Sequence, residues 1–182
     1  MKYTPTDVAG VTIVDIEPAR DDRGFVSHLF CANEFEKYGL LSGVARVDVA
    51  YSYARGTLRG IHRQVPPNVE AKLVRCTRGA VVAVAVDVRP ESRNYGDHVM
   101  VQLSADNRRA LFLPPFIAHG FQTLADNTEV LYQVSGAYDT EEEQGFRWDD
   151  PQFGIDWPLP VSVISDRDAS WPLLASVGRA AS

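Results

Sequence analysis

Ala80-Val81-Val82-Ala83-Val84-Ala85-Val86-Asp87-Val88 decides the fold class. Five of these nine residues are valine, whose branched Cβ restricts χ1 and suits a pleated strand better than a helix. Arg78-Gly79 precedes the run and Arg89-Pro90-Glu91-Ser92 follows it, so it is bounded by turn residues at strand length. An almost unbroken apolar run of this length reads as a strand covered on both faces.

The neighbours repeat the pattern. Leu73–Thr77 reads as a strand before the Arg78-Gly79 turn, and His98–Leu103 alternates apolar and polar positions before the polar turn Ser104-Ala105-Asp106-Asn107. Ala110–Leu113 is a short apolar run stopped by Pro114-Pro115. Phe121–Leu124 and Thr128–Val134 flank Ala125-Asp126-Asn127, which reads as a hairpin. Only residues 32–40 suggest a helix, with Asn33 as its N-cap. Strands punctuated every 8–12 residues indicate an all-β sandwich or barrel. Leu159-Pro160 and Trp171-Pro172 predict an extended segment wrapping the body, and the residues from Leu174 onward a weakly packed tail.

Composition narrows the function. A chain of 182 residues, 45% hydrophobic and 23% charged, carries enough apolar material for a core, and residues 1–182 read as one domain. The net charge of −6 without a basic tract argues against nucleic acid or an anionic membrane as partner. The N-terminal stretch lacks a signal-peptide core and no window approaches a membrane span, so a cytoplasmic protein is expected. Cys31 and Cys76 form no metal-ligand spacing and read as two reduced thiols.

Three segments carry ionisable groups inside apolar strands: Leu58-Arg59-Gly60-Ile61-His62-Arg63-Gln64 with Glu70 and Lys72, then Ala118-His119-Gly120-Phe121, then Val130-Leu131-Tyr132. Strand parity puts His62 and Gln64 on one face and Arg59 on the other. An imidazole can take a proton and a phenol return one. Each residue also has a plainer reading. His62 and Tyr132 fit as hydrogen-bonded core residues, Arg59 as a surface ion-pair partner, Lys72 as a snorkelling side chain, and His119 as packing below the Pro-Pro turn. The runs Glu141-Glu142-Glu143 and Asp149-Asp150 read as solvated loop charges.

Taken together, Asp22-Arg23-Gly24-Phe25, Leu58-Arg59-Gly60-Ile61-His62-x-Gln64, Lys72-Leu73-Val74, Ala118-His119-Gly120-Phe121, Tyr132, Asp156-Trp157-Pro158 and Ser165-Asp166-Arg167-Asp168 resemble the dTDP-4-dehydrorhamnose 3,5-epimerases, in order and along nearly the whole chain. The resemblance implies an all-β cupin jelly roll that dimerises by exchanging N-terminal strands. It also implies a nucleoside-diphosphate 4-ketosugar as substrate and no metal or organic cofactor. His62 would be the general base, polarised by Asp168, with Tyr132 the acid on the opposite face of the sugar. Arg59, Lys72 and His119 would line the pocket, and Arg23 would bind the diphosphate. His28, Tyr138, Glu143 and Arg167 complete the implied substrate contacts. His28, Val47, Val49, Glu70 and Ala83 depart from the family pattern, and Arg167 stands where lysine is common. Apolar groups replacing amides and a carboxylate imply a sugar with fewer or modified hydroxyls. A metal-dependent cupin using His62, Glu70 and His119 ranks lower, because Gln64 stands where a second histidine ligand belongs. A non-catalytic sugar-binding cupin is disfavoured by the retention of His62, Asp168 and Tyr132 together.

Overall fold

The computed structural model describes residues 1–137 and 140–177. Strands β1 (Lys2–Pro5), β2 (Thr12–Asp15), β10 (Ala110–Leu113), β7 (Lys72–Arg78), β12 (Thr128–Val134) and β5 (Arg46–Ser52) form, from edge to edge, a six-stranded sheet. Strands β13 (Glu143–Gly145), β6 (Leu58–Gln64), β11 (Ile117–Thr123), β8 (Ala80–Asp87) and β9 (His98–Ser104) form a facing five-stranded sheet. The hairpin of β3 (Ala19–Asp21) and β4 (Gly24–Val26) stands apart from both. Among the described residues, three short helices accompany the sheets: α1 (Ala32–Lys37), α2 (Asp166–Ser170) and α3 (Leu174–Val177). This is a cupin-type jelly roll, as the resemblance implies, and none of these helices is long and apolar enough to cross a membrane.

Strand β8 shows why its sequence is apolar on both parities. Val81, Ala83 and Ala85 point between the sheets, against Val74, Leu111, Phe121 and Val130. Val84 and Val86 point the other way, into an outer cluster with Ile61, Phe146, Phe153 and Leu174. Burying a valine or leucine side chain on either face is worth about 1.5–3 kcal/mol, so one strand anchors two apolar layers. Helix α1 covers the outer face of the six-stranded sheet, packing Phe35 with Val14, Leu73 and Ala110 and setting it edge-on to Tyr3 and Phe112.

Several expectations change at this level. The triplet 125–127 does not close a hairpin: β11 and β12 lie in different sheets, and the turn carries the chain across the sandwich. Arg78-Gly79 makes the same kind of crossing between β7 and β8. A reversal signal marks where a strand ends and is silent on whether the next strand pairs with it. The α1 N-cap is Cys31, whose carbonyl receives the Glu34 and Phe35 N–H groups, while Asn33 lies inside the first turn. The tail does not begin at Leu174, which is buried and donates its N–H to Asp150 Oδ2 at 2.6 Å. Asp150 is therefore a buried brace for the C-terminal segment, whereas Asp149 is a partly exposed partner of Arg147. Ala83 sits in the closed core, away from any sugar-binding surface. Strand β1 pairs with β2 of its own chain and forms the sheet edge.

Candidate active site

A cavity of about 510 Å³ opens between the sheets, on the side lined by β5, β6, β7, β11, β12 and β13 and by the start of α2. Register brings its groups together. His62 on β6 is directly opposite His119 on β11, and Gly145 on β13 is opposite His62, with Glu143 two residues earlier on the same strand. In the other sheet, Tyr132 is level with Asp48 and Val134 is level with both Lys72 and Arg46. Positions 130, 132 and 134 share the inward face of β12, so Tyr132 rises from the core floor at Val130 into the cavity.

Simple parity fails at one place, and the failure builds the site. Between the pairs His119↔His62 and Phe121↔Arg59, β6 uses one residue more than β11. This bulge brings Arg59 to the cavity together with His62 and turns Ile61 into the outer apolar cluster. Glycine is required at its centre. Gly60 has φ +96°, and a Cβ there would lie 2.5 Å from the His119 carbonyl oxygen and 2.8 Å from Gly120 Cα. The Gly60 N–H donates to Asp168 Oδ2 at 3.0 Å, so α2 is fastened to the bulge.

His62, Tyr132, Asp168, Arg59, Lys72, His119, Glu143 and Arg167 all line the cavity. Arg59 spans its rim, donating to Ser52 Oγ at 3.2 Å and to the Tyr51 carbonyl at 3.0 Å on β5. Arg23 and His28 do not reach this chain's cavity: Arg23 is on the β3–β4 turn, 88% exposed and paired with Asp21, and His28 is exposed beyond β4. Tyr138 lies outside the described residues. Val49 borders the cavity, whereas Val47 does not, and both are exposed.

The acidic run around 141–143 is not simply solvated. Glu143 is buried, with Oε1 at 3.2 Å from His62 Nδ1 and Oε2 at 2.5 Å from Arg167 Nη2. The His62 contact is an ion-pair approach at an angle that makes no hydrogen bond, so Nδ1 has no hydrogen-bond partner among the described residues. Asp168 uses its carboxylate on the Gly60 N–H and, at 3.3 Å, on Trp171 Nε1. Sequence reasoning did not single out Arg46 and Asp48. Arg46 donates to Asp48 Oδ2 at 2.7 Å and to Glu70 Oε2 at 2.8 Å, and Lys72 Nζ lies 3.1 Å from Glu70 Oε1. The signal was the alternation itself, since Arg46-Val47-Asp48 sets both charged residues at the cavity and Val47 away from it.

Electrostatics sets the protonation states. Burial, then the Lys72 ammonium, push His62 below the ordinary histidine range, and Glu143 and Asp168 partly oppose this. Burial, with Lys72 and His62, holds His119 well below that range. Burial pushes the Tyr132 phenol up. At neutral pH the site therefore presents neutral imidazoles on one sheet and a protonated phenol on the other. Among the described residues no group of three His, Cys, Asp or Glu side chains is placed to hold a metal ion.

A neutral imidazole and a protonated phenol entering one cavity from opposed sheets, with Arg59 and Lys72 in the same lining, suit inversion of a carbon next to a carbonyl. On this jelly roll, the class of protein is a carbohydrate epimerase, an isomerase. The family model of dTDP-4-dehydrorhamnose 3,5-epimerase matches residues 5–176, and the chain belongs to that family. It is 39% identical over 178 residues to the dTDP-4-dehydrorhamnose 3,5-epimerase of Sinorhizobium fredii, covering 97% of this chain and 91% of the relative. The crystal structure of the dTDP-4-dehydrorhamnose 3,5-epimerase of Elizabethkingia anophelis superposes with a TM-score of 0.93 at 30% identity, covering 97% of both chains. The dTDP-6-deoxy-D-glucose-3,5-epimerase of Legionella pneumophila, in complex with dTDP-4-keto-L-rhamnose, superposes with a TM-score of 0.90 at 33% identity, covering 97% of this chain and 94% of that one.

Proposed function

We propose that the chain inverts C3, C5 or both in a dTDP-linked 4-keto-6-deoxyhexose by proton abstraction and return through an enolate. The observation that carries this reading is the placement of His62 and Tyr132 on opposed sheets of one cavity. A ketone at C4 acidifies the hydrogens on C3 and C5, because the carbanion delocalises onto the ketone oxygen. Neutral His62 takes the proton. The Lys72 ammonium donates to the developing enolate oxygen, and a fixed donor of this kind is worth about 3 kcal/mol in the transition state. The Tyr132 phenol returns a proton from the other face, which inverts the centre. One base alone returns the proton to the face it left, so both groups are needed. Arg59 and Arg167 meet the diphosphate or sugar as fork-shaped donors, and His119 supports the ring as a neutral imidazole. Binding energy from the nucleotide end is spent on holding the hexose between base and acid.

The substrate contacts of Arg23 and His28 fit a homodimer in which the N-terminal strands and the β3–β4 hairpin of each chain cross toward the other cavity. The hairpin is exposed on both strands, and Val26, Val47, Val49 and Tyr53 present apolar surface for such a contact. The exposed Val49 on the cavity border also favours a sugar or nucleotide with fewer hydroxyls to satisfy there. Incubation with dTDP-4-keto-6-deoxyglucose in deuterated water, followed by NMR, tests the reading. Deuterium is expected at C3, C5 or both, together with an epimeric product. Retention of both hydrogens over many equivalents of enzyme time overturns it.

A further inference from the structure

We infer that a second cavity, on the outer face of the five-stranded sheet, binds a small aromatic monocarboxylate through Arg63. The cavity has a volume of about 390 Å³, a size at which proteins hold small organic ligands. It shares no lining residue with the cavity between the sheets. Strand β6 is the wall between the two. His62 and Gln64 line the inner cavity, and Arg63, between them in sequence, lines the outer one. Val88, Tyr95, Phe116, Phe146, Leu174 and Val177 give the outer cavity an aromatic and aliphatic surface, the last two from α3.

Arg63 gives this apolar space its chemistry. A guanidinium has five N–H donors. Nε donates to Gln144 Oε1 at 3.0 Å and Nη1 to the Phe116 carbonyl at 3.2 Å, so Nη2 has no hydrogen-bond partner among the described residues. Gln144 lies opposite Arg63 in the β13–β6 register, and the Phe116 ring centroid is 5.9 Å from Arg63 Cζ. Phe116 holds this place at φ +69°, a left-handed conformation that residues other than glycine rarely adopt. The group is therefore fixed in orientation, yet no carboxylate among the described residues pairs with it. Burial pushes its pKa below the ordinary arginine range, so an anion brought to it offsets the cost of holding that charge away from water. The other ionic groups in the lining restrict the ligand to a single negative charge. Arg89 is occupied by Asp87, whose Oδ2 is 2.6 Å from Nη2, and Glu91 adds a negative charge at the exposed rim. One guanidinium with donors to spare matches the two oxygens of one carboxylate. A phosphate dianion meets the same single cation beside Glu91 and has no apolar body to fill the rest of the space.

Calorimetric titration of the full chain with 2-naphthoate, 2-naphthamide and inorganic phosphate tests the inference. 2-Naphthoate is expected to bind saturably at one site per chain. The uncharged amide is expected to bind about tenfold more weakly, as loss of a charge-assisted hydrogen bond requires, and phosphate more weakly still. Saturating dTDP is expected to leave the 2-naphthoate affinity unchanged, because the probe lies outside the cavity between the sheets. Arg63→Met keeps the apolar stem and removes the charge, and is expected to lower 2-naphthoate affinity about tenfold while leaving 2-naphthamide binding unchanged. Arg63→Lys, which keeps the charge without the fork, is expected to fall between. The comparison of acid with amide needs only wild type, so it decides the matter even where a variant fails to fold. No saturable binding of 2-naphthoate at millimolar concentration, equal affinity for the amide or for phosphate, or displacement by dTDP overturns the inference. A chain that binds 2-naphthoate in this way and exchanges no sugar hydrogen overturns the proposed epimerase function and leaves this site standing.

Discussion

His62 and Tyr132 are chemically useful because burial pulls their proton affinities apart. Removing a charged form from water costs more than removing a neutral one, so burial lowers an imidazole's pKa and raises a phenol's. The imidazole is then unprotonated and the phenol protonated at the same pH. The sign of the pH dependence follows. As the proposed base His62 is active when neutral, and its pKa lies below the ordinary value of about 6.5, so most of it is in that form at pH 7. The acid limb of kcat/KM for wild type is expected to have its midpoint below 6.5, and phenol ionisation is not expected to cut activity below pH 10. A midpoint above 7 contradicts this electrostatic picture. The residue types were legible in the sequence, since histidines and a tyrosine inside apolar strands stand out. Their partners were not. Glu143 sits in a run of three glutamates that reads as solvent-facing, and only the pairing of β13 with β6 shows that one of them is buried.

At the scale of elements, β6 and its bulge organise the site. The extra residue at Gly60–Ile61 puts Arg59 and His62 on the same cavity, where an unbroken strand would put them on opposite faces. Gly60→Ala is expected to cost about 3 kcal/mol or more, combining positive-φ strain with the contact to the His119 carbonyl. Thermal unfolding and kcat/KM are both expected to fall; a variant with wild-type melting and activity contradicts the role given to the bulge. Strands β8, β10 and β12 were legible because their apolar patterns begin and end at turn residues, and their observed bounds follow those signals closely. The bulge was not legible, because it depends on register against β11, a strand more than fifty residues away in the chain. Nor was the parting of β11 from β12, since Ala125-Asp126-Asn127 ends a strand equally well whether the next one pairs with it or crosses to the other sheet.

Across the whole molecule, the sandwich has one side packed by Val, Leu and Phe and another left open as the cavity. The resemblance assigned Arg23 and His28 to the substrate, yet a single chain holds them away from its own cavity. The proposed dimer would resolve this, and sedimentation equilibrium is then expected to return twice the monomer mass. Arg23→Ala should keep that mass and raise KM about tenfold, as loss of a charge-assisted diphosphate contact does. A monomer with full activity contradicts the composite site. The central claim, that one group works on each face of the sugar, is tested most directly by His62→Ala and Tyr132→Phe on dTDP-4-keto-6-deoxyglucose in deuterated water. The account predicts that His62→Ala abolishes deuterium incorporation at both carbons, and that Tyr132→Phe still exchanges hydrogen while product of inverted configuration falls. Wild-type exchange in His62→Ala, or equal loss of exchange and inversion in Tyr132→Phe, contradicts it.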